Sequence, residues 1–119
     1  MRLKFTPYSG KAPVIVLIKE KALVARIACK VIGGKSVAIV FGRTICLHNT
    51  TARQFITNTH WLRHELEHVL QYERHGYFGF ICRYLWESMR SGYYNNKFEK
   101  EARGAEHDTV LLQAMEILT

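Results

Sequence analysis

Apolar and polar residues change rhythm near the middle of the 119-residue chain. "APVIVLIKE" (12–20) is a short β-branched run. "ALVARIACKVIG" (22–33) alternates, setting Leu23, Ala25, Ile27 and Cys29 against Val24, Arg26, Ala28 and Lys30. A period of two predicts half-buried strands. Gly33-Gly34 predicts a hairpin into "SVAIVFG" (36–42), and Gly42-Arg43 predicts a second turn into the strand "TICLH" (44–48). Asn49, Thr50 and Thr51 close this β region.

From there the period is helical. Asn58 or Thr59 caps a helix running to about His75, and Gly76 ends it. A second helix is expected over about 77–90, with Phe78, Ile81, Leu85 and Met89 near one face. "SGYYNNK" (91–97) reads as a loop. A last helix is expected over about 98–118, with Ala102, Ala105, Leu112 and Met115 on its core stripe. The expectation is one α+β domain. It has a small antiparallel sheet of three to four strands over about 13–48, then helices over 58–75, 77–90 and 98–118.

Composition narrows the class. Hydrophobic residues make up 48% and are spread along the chain, which argues for a packed core rather than disorder. The apolar run Val14 to Ile18 is too short to span a bilayer, and no small-residue cleavage site follows the basic start. A soluble, cytoplasmic protein with no membrane partner is expected. Three cysteines, Cys29, Cys46 and Cys82, without a CxxC pair predict reduced thiols rather than a disulfide framework. The net charge of +7 comes from scattered lysines and arginines, with no run of five and no RNA-binding signature. It is read as the solvated surface of a basic protein, not as a nucleic-acid interface.

The chemistry is concentrated in "LRHELEHVLQYERHG" (62–76). At 100° per residue His64 and His68 fall about 40° apart, one turn along the helix, so both imidazoles leave the same edge. Leu62, Leu66 and Val69 lie about 140–200° round, on the opposite face. Two imidazole nitrogens that converge in this way suit a metal ion. His60 forms a second pair with His64, but His60 and His68 are about 12 Å apart along the axis, so one ion cannot use all three. Glu65 and Glu67 flank the histidine pair almost symmetrically, and helix geometry does not separate them. The order His-Glu-x-x-His, known from metallopeptidases, selects Glu65 as general base. Glu67 is then expected at the surface, paired with Arg63 or Arg74.

A catalytic zinc needs a third protein ligand and an open position. The downstream acids are Glu87, Glu99, Glu101, Glu106, Asp108 and Glu116. Glu99 stands out because Ala102 follows three residues later in "YYNNKFEKEARGAE" (93–106). The combination of HELEH and a later Glu-x-x-Ala resembles the gluzincin metallopeptidases, in particular the very small minigluzincins. The resemblance covers roughly residues 57 to 106. It implies a zincin-like fold, Zn²⁺ held by His64, His68 and Glu99, and Glu65 as the base of peptide hydrolysis. It further implies that Ala102 lets two helices approach closely. A peptide or protein substrate would add along a sheet edge beside the cleft, for which Thr44–His48 is the candidate.

Glu101 is the rival third ligand. It points about 160° from Glu99, so the two cannot serve one ion together. The sequence departs from the family pattern at Arg103, where many gluzincins carry an aspartate that orients a histidine. Either another acceptor does so here or activity is weakened. Tyr72, Tyr93, Tyr94, His75 and His107 are available as oxyanion donors, and none is assigned. Two other readings stand beside the metallopeptidase: a catalytically inactive, zinc-stabilised interaction module with the same ligands, and a basic nucleic-acid-binding protein in which the motif is accidental.

Overall fold

A computed structural model describes residues 2–4, 14–32, 36–109 and 111–119. In chain order the elements are β1 (Arg2–Lys4), β2 (Val14–Lys19), α1 (Leu23–Ile32), β3 (Val37–Phe41) and β4 (Thr44–His48). They continue with α2 (Ala52–Thr57), α3 (Thr59–His75), α4 (Tyr77–Asn95), α5 (Lys97–Ala105) and β5 (Met115–Leu118), the last preceded by a 3₁₀ turn at Leu111–Ala114. The fold is α+β. Its five strands are ordered β1-β5-β2-β4-β3 in one sheet.

The sheet is mixed, not antiparallel as expected. β2 runs parallel to both β4 and β5, while β1–β5 and β3–β4 are antiparallel. Parallel neighbours need a crossover rather than a hairpin. That requirement explains the first correction: 23–32 is a helix, not a strand. Along α1, Ala25 is fully buried against Val37 and Cys46, while Leu23 and Ile27 stand exposed. An eight-residue alternation of small and apolar side chains fits either period, and the β2-to-β4 crossover decides for the helix. The hairpin expected at Gly33-Gly34 therefore has no first strand, and those two residues lie outside the described set. The turn at Gly42-Arg43 is present. Gly42 takes φ 62°, a left-handed value that suits glycine, and joins β3 to β4.

The second correction concerns the C-terminal part. α5 ends at Ala105, and the chain returns as β5 between β1 and β2. Met115 and Ile117 are fully buried there. The expected stripe of Ala102, Ala105 and Met115 does reach the core, but through two elements. A strand is favoured at 115–118 because the sheet supplies partners for its backbone on both sides.

The third correction concerns the edge. Thr44–His48 is flanked by β2 and β3, so it is an interior strand. Its tight turn folds β3 onto its outer side, and Val37–Phe41 becomes the edge among the described strands. The main core lies between one sheet face and helices α2 to α5. Val16, Ile45, Leu47 and Ile117 meet Phe55, Leu62, Leu66 and Phe98 there. α1 covers the other face. Among the described residues, no helix is long and apolar enough to cross a membrane.

Candidate metal centre

α3 starts where Asn58 accepts a hydrogen bond from the Trp61 amide at 3.2 Å, and it ends at Gly76. Leu62, Leu66 and Val69 are buried in the core. Burial of that face turns His64 and His68 toward α5, with ring centroids 5.2 Å apart. α5 is anchored by Asn96. Its side chain accepts from the Phe98 amide at 2.8 Å and donates to the Tyr84 carbonyl and the Ser88 hydroxyl of α4. Ala102, without exposed surface, lies one turn beyond Glu99.

These supports bring Glu99 against both histidines. Its Oε1 is 3.1 Å from His64 Nε2, and its Oε2 is 3.3 Å from His68 Nε2. One ligand atom from each of the three residues lies within 4.8 Å of the others. Ligands about 2.1 Å from a tetrahedral ion are about 3.4 Å apart, and the two histidine–carboxylate distances are close to that, so small side-chain adjustments would bring the three onto one ion. Glu101 does not join the group: its Oε1 accepts from Gln71 Nε2 at 3.0 Å.

The outer nitrogens of both imidazoles are engaged. His64 Nδ1 is 2.8 Å from Glu106 Oε2, and His68 Nδ1 is 2.8 Å from Gln71 Oε1. Gln71 Nε2 donates to the Phe98 carbonyl and to Glu101, which fixes its amide with the oxygen toward His68. Both Nδ1 atoms must therefore donate. Each Nε2 then aims a lone pair at the Glu99 carboxylate, unless a proton or a cation lies between them. Electron-rich atoms converging in a buried place need such a positive charge.

The electrostatics show the same need. Burial disfavours charged His64, but its contacts with Glu99 and Glu106 prevail and raise its pKa to about 9. His68 is also raised, by Glu99 and Glu65 against burial. Burial would raise Glu99, yet its hydrogen bonds with His64 and His68 hold it well below the usual carboxylate range. Glu65 is pushed up to about 7, chiefly by burial, with His68 and His64 opposing the rise.

Beside this centre is a cleft of about 330 Å³. Edge strand β3 forms one wall, and Phe80, Ile81, Tyr84 and Leu85 of α4 form another; His64, Glu65, His68 and Glu99 line it as well. Glu67 instead pairs with Arg74 at 2.7 Å, so the structure separates the two glutamates that the helical wheel left equivalent. Of the hydroxyl and imidazole groups considered as oxyanion donors, Tyr93 lines the cleft, with its hydroxyl directed at Glu99. Tyr72 lines it too, but donates to the Val40 carbonyl. Tyr94 lies beneath Arg103, His75 against Phe98, and His107 against His60. Gly92, at φ 80° and ψ 169°, breaks the α4 helix just before Tyr93.

Four supporting residues were not assigned to the centre from the sequence. Glu106 takes the place left open by Arg103, which turns away to bond the Tyr94 carbonyl. Arg63 holds the Glu106 carbonyl at 3.1 Å and so fixes the end of α5. Gln71 was detectable three residues after His68, and Glu106 seven after Glu99, since both spacings return to the same helix face. Tyr84, whose hydroxyl donates to Glu99 Oε2 at 2.5 Å, is on another helix and left no such signal. No family model, curated protein or solved structure matches this chain.

Proposed function

We propose that this chain is a zinc-dependent metallopeptidase of the gluzincin kind, hydrolysing peptide bonds in a peptide or protein substrate. The observation that supports it most is the convergence of His64, His68 and Glu99 beside buried Glu65, at the wall of a cleft. Two imidazole nitrogens and one carboxylate oxygen suit Zn²⁺ and leave a coordination position toward the cleft. Bound there, Zn²⁺ supplies Lewis acidity and lowers the pKa of water toward neutrality.

The chain's own residues do the rest. Glu106 and Gln71 hold the tautomers that turn both Nε2 lone pairs inward. Glu65, with its pKa near the working range, takes a proton from water and returns it to the departing amine nitrogen. A dication nearby favours its charged, proton-accepting form. Edge strand β3 offers backbone groups to an extended substrate, and the Tyr93 hydroxyl is the available donor to the substrate carbonyl oxygen. A cytoplasmic location goes with this reading, because Cys82 is an exposed free thiol and Cys46 a buried one.

The test is a pair of substitutions. Glu65→Gln is expected to keep one equivalent of zinc and lose peptide hydrolysis, whereas His64→Ala is expected to lose the metal. Turnover by Glu65→Gln equal to the parent's on every substrate cleaved would end the proposal. The same ligands would tie α3 to α5 in a zinc-stabilised interaction module. Zinc-loaded protein that cleaves nothing in a peptide library would favour that second reading.

A further inference from the structure

α4 is apolar on two sides. At 100° per residue the buried Phe80 and half-buried Tyr84 lie on one side, and Phe78, Leu85, Trp86 and Met89 share an arc of about 100° on the other. The second group is open to solvent: Phe78 is 77% exposed, Leu85 56%, Trp86 64% and Met89 81%. Phe78, Ile81, Leu85 and Met89 were read from the sequence as one face of this helix; Phe78, Leu85 and Met89 point outward, whereas Ile81 packs against the core. A second apolar face left open on a helix whose first face is already packed marks an interaction surface.

Charge says what covers it. Arg83 and Arg90, both exposed, lie along one border of the arc, at about 120–140° on the same wheel. The one acid of α4, Glu87, is buried, where it meets Arg90 at 3.0 Å and the Lys97 amide at 3.4 Å. The outer face therefore carries cations and offers no exposed carboxylate of its own. A second copy laid against it would bring four arginines together, with only the buried Glu87 of each helix, already paired with Arg90, to offset them.

We propose that the outer face of α4 docks this protein on the surface of an anionic lipid bilayer. Lipid headgroups supply the negative charge that Arg83 lacks and that Arg90 has only from the buried Glu87 behind it, and the four apolar side chains enter the boundary between headgroups and acyl chains. Trp86 suits that depth. The net charge of +7 adds long-range attraction of the same sign. A helix lying in the interface needs no membrane-spanning length, so the short apolar runs of the sequence do not bear on it. Leu85 belongs to this face and to the cleft wall, so docking brings the cleft mouth to the bilayer.

Sedimentation of the full chain with vesicles of phosphatidylcholine alone, or mixed with phosphatidylglycerol, tests this. Binding is expected to the mixed vesicles and to weaken with salt, with a blue shift in the emission lost on Trp86→Phe. Arg83→Gln is expected to weaken binding about fivefold. The double substitution of Trp86→Ser with Met89→Ser is expected to weaken it more than about tenfold. Both changes are at exposed positions, so the melting temperature should hold, and Arg83→Gln still decides if the double variant melts early. Equal binding to both vesicle types, or unchanged binding by both variants, overturns the proposal. A dimer abolished by the double variant, with no vesicle binding, also overturns it and gives the face to a second copy.

Discussion

Gln71 has no exposed surface, and its one amide connects α3, α5 and the candidate metal centre. Gln71→Met keeps the volume and removes the amide. His68 Nδ1–H then loses its acceptor in a buried place, and the Phe98 carbonyl loses a donor. The Phe98 carbonyl keeps its helical partner within α5, so one buried group is left unsatisfied, at a cost of about 1–3 kcal/mol without metal. For a chain of 119 residues that corresponds to a fall of roughly 4–12 °C in melting temperature. The imidazole is also freed to turn or change tautomer, and loss of such an outer partner weakens metal binding about 10–100-fold. Thermal circular dichroism with a chelator reads the first effect, and zinc competition against a chromophoric chelator reads the second. Glu101→Gln, at the exposed end of the same chain of bonds, serves as the mild control. Should Gln71→Met bind zinc within about twofold of the parent, His68 is not oriented by this amide and the account of the centre is wrong.

Other expectations follow from the same geometry. The raised pKa of His64, about 9 against 6.5, gives the metal-free protein stability that is full below pH 6.5 and lost as pH rises through about 9. The lowered Glu99 gives stability present above its ordinary 4.5 and lost as pH falls. Glu65, raised from 4.5 to about 7, adds a share that is full below pH 4.5 and lost as pH rises through about 7, so the metal-free melting temperature should be highest near pH 4.5 and fall as pH rises from there. Zinc requires neutral imidazoles, so its stabilising increment should grow from pH 6 to 8, and an increment that shrinks over that range counts against the ligand set. Ala102→Leu overfills the buried position one turn after Glu99. It is expected to cost about 1–3 kcal/mol and to lower zinc occupancy by displacing Glu99, as measured by melting and elemental analysis.

How much of this was legible before folding can be judged from particular residues. His64 and His68 could be paired on one helix edge, with Leu62, Leu66 and Val69 opposite, because the helical period alone determines those directions. The caps at Asn58 and Gly76 and the turn at Gly42-Arg43 were legible for the same reason: each depends on a few adjacent residues. Glu99 was separable from Glu101 only through the family resemblance. The structure separates them by placing Glu99 against the histidines and Glu101 against Gln71. Glu65 and Glu67 were likewise equivalent on the wheel until the cleft lay on one side of α3.

The errors share a cause. Residues 23–32 and 115–118 can satisfy their backbones as helix or strand, and distant partners make the choice. The β2–β4 crossover draws the first into a helix, and the gap between β1 and β2 draws the second into the sheet. By itself the sequence determined what adjacent residues can settle: helix faces, caps, the tight turn, and the two histidines of the centre. Tertiary structure alone decided which strand forms the edge and that Tyr84 braces Glu99. Those contacts join residues far apart in the chain, and local periodicity carries no information about them.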